Sequence, residues 1–184
     1  MGRYEAQLQK IIKEDEHIMS ILEAVAELQL PDAWVSAGLI RNKVWDVMHG
    51  IETPIHDIDV IYYDDRDVSL EIEEALEHTL AALMPNEPWS VKNQARMHLK
   101  NGFPPYSSSF DGVAHFTETP TAIAVRLYKG ELEIMAPYGL ADLFEKKVRP
   151  TPYFQRDGSF WPIYNKRMEE KRWDQIWTCL SIEE

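Results

Sequence analysis

Hydrophobic and polar positions alternate along the chain with two periods, and the switches between them mark out the elements. Over residues 5–30 the apolar positions Leu8, Ile11, Ile12, Ile18, Ile21, Leu22, Val25 and Leu28 recur at helical spacing until Pro31. Trp34 to Gly38 reads as a short strand running into a second helix, Leu39 to about Met48, closed by Gly50. Residues 57–63, DIDVIYY, read as a strand. Residues 69–83 read as a helix with Leu70, Leu76, Leu80 and Leu83 on its apolar side, stopped by Pro85 and Pro88. Trp89 to Gln94 is a short strand, and NGFPPYSSSFDG, with its prolines, glycines and serines, is a loop. Thr121 to Tyr128 and Glu131 to Met135 form a hairpin around Lys129-Gly130. A short helix fits 139–147, and after a proline- and aromatic-rich stretch another fits 163–178. This order predicts an α+β fold, a mixed β-sheet flanked by helices with a helical C-terminal tail. It also predicts one domain: an N-terminal helix over 1–30, a core over 31–147 and an extension over 148–184.

Composition narrows the partners. A formal net charge of −12 disfavours broad capture of long nucleic acid, which needs surplus Lys and Arg, but leaves room for a small anion in a local basic pocket. The charged opening MGRYEAQLQKIIKEDEH lacks a signal-peptide core, and no apolar stretch reaches the ~20 residues that span a bilayer. The single cysteine, Cys179, excludes an internal disulfide framework or a cysteine zinc knuckle. A cytoplasmic protein with no membrane contact is expected.

The candidate chemistry lies in "HDIDV". Side chains alternate along a strand, so Asp57 and Asp59 share a face with Cα atoms about 6.5–7 Å apart. Two carboxylates so placed raise one another's pKa unless a cation lies between them, and oxygen-only ligation suits Mg²⁺. A solvated edge strand would also explain the pair. Gly38, at a strand-to-helix junction, aims free backbone N–H groups outward and favours an anion, with Arg41 and Asn42 in the first turn beside it. Glu133 shares a face of its strand with Glu131 and is the choice for a third carboxylate. Arg126 could meet a site carboxylate, a triphosphate, or Glu131 or Glu133 as an ion pair. Asn93 and Arg96, in "VKNQARMH", either line a nucleotide or acceptor pocket or belong to a surface network. Arg167 and Lys171, one turn apart on the tail helix, either reach a triphosphate or lie on a solvated face. The six histidines show no zinc spacing.

The run "SAGLIRNKVWD…HDIDVIYYD" resembles the nucleotidyltransferase superfamily that includes DNA polymerase β. Its mark is a glycine-containing strand-to-helix turn followed by a strand with D-x-D or D-x-E. "VKNQARMH", "TPTAIAVRL", "APYGLADLF", "VRPTP" and "KRMEEKRWDQIW" extend the likeness to a bacterial family of predicted nucleotidyltransferases with no established substrate, over roughly residues 20–178. The resemblance implies a nucleotidyltransferase fold and two Mg²⁺ ions, or Mn²⁺, held by Asp57, Asp59 and a later carboxylate, carried to Glu133. It implies that Gly38 opens the phosphate-binding turn, and that an NTP gives its nucleotidyl group to a small-molecule or protein acceptor. Two departures stand out: Gly38 is followed by Leu39 where the superfamily usually has Gly-Ser or Gly-Gly, and the spacing from Gly38 to Asp57 is longer than usual. Both leave open a catalytically silent relative that binds nucleotide or a protein partner.

Overall fold

The computed structural model describes residues 2–183. Five strands form the central sheet: β1 (Trp34–Ser36), β2 (Ile58–Tyr62), β3 (Trp89–Asn93), β4 (Ala124–Tyr128) and β5 (Glu131–Met135). Their spatial order is β3-β2-β1-β4-β5, and only the β2–β3 pair is parallel. The helices are α1 (Arg3–Lys13), α2 (Glu16–Glu27), α3 (Gly38–His49), α4 (Leu70–Leu83), α5 (Gln94–Met97), α6 (Ser109–Ala114), α7 (Ala141–Phe144), α8 (Trp161–Lys171) and α9 (Trp173–Ile176). A small parallel pair, β6 (Lys147–Val148) with β7 (Ser181–Ile182), ties down the tail. The mixed α+β sheet flanked by helices is the architecture that the periodicity predicts.

One sheet face carries Val35, Val60, Val91 and Val125 into the main core, which also takes Leu8, Ile12, Ile21, Leu22, Val44 and Trp45 from the helices. The other face is covered only in part. Trp34, Ile61, Ala124 and Met135 pack with Val113 of α6 in a smaller cluster, and the end of β2 that carries the aspartates stays open.

Three elements depart from the sequence pattern, each for a local reason. The single helix over 5–30 is two, because Asp15 takes an extended conformation and its carboxylate accepts the N–H of Ile18 at 2.9 Å, starting α2 afresh. The loop at 101–112 ends in α6, capped by Ser108, while Phe103 stacks among His115, Tyr153, Phe154 and Phe160. The tail helix breaks at Arg172, whose left-handed backbone (φ 45°, ψ 44°) turns α9 away from α8. That bend lets Trp173 and Trp177 pack edge-on against Trp45 of α3.

Candidate active site

A cleft of about 1030 Å³ opens where β1 gives way to α3. Its floor is the β1–α3 turn and the end of β2; one wall is the α8–α9 tail, the other the start of α2 with residues 86–88. Gly38, Arg41, Asn42, Asp57 and Asp59 all line it.

Strand pairing explains the floor. Asp59 lies opposite Ser36 of β1, so the aspartate strand and the turn into α3 meet side by side. Ala37 makes the turn, with φ 59° and ψ −123°. Those dihedrals belong to the first central residue of a type II′ turn, a position dominated by glycine. The strained residue is thus Ala37, one place before Gly38, and a Cβ built on Gly38 would meet nothing nearer than Arg41 Nη2 at 3.7 Å. This corrects the reading of Gly38-Leu39 as the turn pair. No side chain caps α3 and no acidic residue occupies its first turn. Its first N–H groups, at Gly38, Leu39 and Ile40, have no intrahelical acceptor, and Gly38 and Leu39 line the cleft.

Neither the Asp57 nor the Asp59 carboxylate makes a hydrogen bond or ion pair among the described residues; Asp59 takes part only through its backbone, whose carbonyl accepts from Ser36 Oγ at 3.4 Å. Burial pushes the Asp59 carboxyl above its ordinary range, the Asp57 charge adds to this, and Arg167, Arg41 and Lys92 pull it back in part. Two oxygen donors with no protein counter-ion, in a cleft open to water and phosphate, fit a hard divalent cation.

Arg41 lines the cleft, but its guanidinium is already engaged within the protein. It is buried, donating from Nε and Nη2 to Asn42 Oδ1 (3.1 and 2.8 Å) and from Nη1 to Thr121 Oγ1 (2.8 Å). Its guanidinium lies 3.9 Å from the Trp173 ring and 5.2 Å from the Trp45 ring. Burial pushes it down to about 9, still cationic at neutral pH, with Glu118 the main opposing influence. Arg41 therefore fastens the tail to α3.

Three further expectations are corrected. Glu133 shares the sheet face of Asp59, but β2 and β5 are separated by β1 and β4, three strand spacings of about 4.8 Å each. It is paired with Arg126 Nε at 2.6 Å, and among the described residues no cluster of three or more His, Cys, Asp or Glu side chains could hold an ion. Arg126 makes that pair and stacks on Trp34 and Tyr128 at 4.0 and 4.9 Å, away from the cleft. Asn93 lies opposite Tyr62, on the face away from the aspartates, and staples the end of β2 through its bonds with Asp64 and Asp67. Arg96 binds both oxygens of buried Glu73, at 2.9 and 2.8 Å. For both, the network alternative holds.

The tail supplies groups that spacing alone left undecided. Arg167 and Lys171 both line the cleft. Arg167 Nε pairs with Glu118, fully buried just ahead of β4. Glu118 went unnoticed because its neighbours TETPT carry no periodic signal. Asp46, buried in α3, accepts from Trp177 Nε1 (2.8 Å), Thr53 N (2.9 Å) and Thr53 Oγ1 (2.8 Å). It thereby joins the tail to the loop that leads to Asp57.

A mixed sheet with paired aspartates beside a helix N-terminus defines a nucleotidyltransferase-type domain. A family model described as nucleotidyltransferase matches residues 23–182, and the chain belongs to that family. No curated protein matches it. Among solved structures it is similar to an NMR structure that reveals a CCA-adding enzyme head domain, at 34% identity and TM-score 0.83 over 95% of both chains. A CCA-adding enzyme in complex with CTP aligns over 96% of this chain at 17% identity and TM-score 0.63, and an apo form over 95% at 16% and 0.61. At those identities the likeness is one of fold, and the chain spans 43% and 42% of those two proteins. Among the described residues no helix is long and apolar enough to cross a membrane.

Proposed function

We propose that this chain moves a nucleoside monophosphate from an NTP to a hydroxyl of a small-molecule or protein acceptor, in the cleft at the start of α3. The acceptor oxygen bonds to the α-phosphorus, the bond from that phosphorus to the β-phosphate breaks, and pyrophosphate and the hydroxyl proton leave. The observation that carries the reading is the Asp57–Asp59 pair, whose carboxylates have no direct ion-pair partner among the described residues and line the same cleft as the start of α3. The family supports the transfer, and the CTP bound by a CCA-adding enzyme of the same fold supports an NTP as donor. The net charge of −12 favours an acceptor other than long nucleic acid.

Asp57 and Asp59 would hold the divalent metal, Mg²⁺ or Mn²⁺. Bound there, such ions neutralise charge on the phosphates and lower the pKa of an attacking hydroxyl. With Glu133 remote, Asp57 and Asp59 are the protein groups that would hold the metal. The amides at the head of α3 would favour the phosphates of a nucleotide bound in the cleft. Arg41 and Asp46 keep the tail wall and the 51–57 loop in place, so positioning and charge, not a protein nucleophile, do the chemistry. One observation favours a binding-only role: among the described residues no third carboxylate lies close enough to Asp57 and Asp59 to complete an ion site; it predicts nucleotide binding without transfer.

The test is to incubate the protein with each α-labelled NTP, Mg²⁺ and a cell lysate, and follow label into small-molecule and protein fractions. Asp57→Asn and Asp59→Asn should each cut transfer about a thousandfold or more with the circular dichroism spectrum unchanged. Equal labelling by either variant overturns the proposal.

A further inference from the structure

The tail wall carries an arrangement that the aspartates do not explain. Glu118 has no exposed surface, yet it carries a carboxylate into the protein beside two arginines. One oxygen meets Arg167 Nε, and the other has no hydrogen-bond partner. A buried ion pair is a weak source of stability, because desolvation offsets much of the attraction. The pairing does have a geometric effect. Held by Nε, the guanidinium keeps Nη1 and Nη2 free of protein partners among the described residues, and Arg167 lines the cleft with a third of its side chain exposed. Trp173 backs it at 5.5 Å and is itself held from its neighbourhood in α3 by Arg41 at 3.9 Å. One turn further along α8, Lys171 also lines the cleft and is unpaired among the described residues.

We propose that Arg167 and Lys171 of α8 form a clamp for the β- and γ-phosphates of the bound nucleotide, and that Glu118 is the positioning residue that aims Arg167. The inference rests on the nucleotidyl-transfer reading and adds to it the source of triphosphate selectivity. The free fork of a guanidinium matches two phosphate oxygens, whereas the lysine acts as a point charge. The charges agree: Glu118 balances one of two arginines, so the wall keeps net positive charge facing the ligand, opposite the acidic floor of Asp57 and Asp59. A purely structural staple would leave affinity for phosphates untouched.

Calorimetry separates the two. Wild type, Arg167→Met, Arg167→Lys, Lys171→Gln and Glu118→Gln are titrated, each with Mg²⁺, with the four NTPs, their monophosphates and inorganic tripolyphosphate. Arg167→Met should weaken NTP and tripolyphosphate about 10- to 100-fold and monophosphate less than about twofold, with Arg167→Lys recovering part of the loss. Lys171→Gln, a change at an exposed side chain that cannot unfold the protein, should weaken the same two ligands about 3- to 10-fold. Glu118→Gln should mimic a weaker Arg167→Met if it folds. If wild type binds NTP and both the Arg167→Met and Lys171→Gln proteins bind it equally well, the clamp is wrong while nucleotidyl transfer stands. Binding of tripolyphosphate that depends on Arg167, without binding of any NTP, overturns the nucleotide clamp together with the nucleotidyl reading and leaves a bare polyphosphate site. No binding of either ligand by wild type overturns both.

Discussion

Two shielded carboxylates, Glu73 of α4 and Asp59 of β2, have opposite surroundings. Glu73, with 3% of its side chain exposed, accepts the N–H of Asn93 at 2.8 Å and both contacts from Arg96, with Lys92 at 3.9 Å. Asp59, on β2 next door, has no such partner, and burial and its neighbour Asp57 push its carboxyl upward. The first arrangement is complete and holds the fold. The second is incomplete within the protein, and the incompleteness is what a cation and a triphosphate would resolve. An acidic side chain that the fold has shielded and left unpaired is a better pointer to function than an acidic motif alone.

The contrast can be broken at its strong end. Glu73→Ala leaves Arg96 facing a partly buried void and removes the acceptor for Asn93 N–H, so urea unfolding should show a loss of about 3 kcal/mol. Any folded fraction should bind nucleotide normally. A loss of nucleotide affinity without a loss of stability would erase the distinction drawn here.

A change at Asp59 should act in the opposite direction. A carboxyl whose folded pKa is raised disfavours the folded state at pH values above that pKa, and the penalty fades as pH falls from the folded pKa to the lower unfolded one, below which it is gone. Asp59→Asn should therefore raise the melting temperature at pH 7 by about 2–4 °C, with the gain shrinking toward zero as pH falls through the carboxylate range. Adding Mg²⁺ should raise the wild-type melting temperature and leave that of Asp59→Asn unchanged. A variant less stable than wild type at pH 7 would show that Asp59 has a hidden partner.

The smallest effect is expected at Glu133. Its partner Arg126 is a quarter exposed and Glu133 itself more so, so Glu133→Gln should cost less than about 1 kcal/mol. Transfer activity should not change. A collapse of activity would restore it as a third metal ligand.

How far the chain could be read beforehand follows the range of the interactions. The 3.6-residue spacing of Leu70, Leu76, Leu80 and Leu83 and the two-residue alternation of Ile58, Val60 and Tyr62 are local, and the helix and strand appear where those patterns lie. Asp57, Asp59 and Gly38 lie close in sequence and were legible together. Glu133 was misplaced because alternation gives a strand's face and not its rank in the sheet; only the order β2-β1-β4-β5 separates it from the aspartates. The break at Asp15 was hidden by apolar positions that keep helical phase across it. Arg41 presents a cationic signal at a helix start, yet its partners Thr121 and Trp173 come from distant parts of the chain. The bearing of Arg167 depends on Glu118, 49 residues away, and no short window contains both.

The docking of Trp177 on Asp46 joins positions 131 residues apart. At ordinary rates of translation, α3 emerges from the ribosome on the order of ten seconds before its partner in the tail. During that interval the aspartates and the head of α3 have no tail wall opposite them. A nascent chain thus presents this cleft with one side open until the tryptophans have been made, and the order of synthesis leaves the tail wall to be added last.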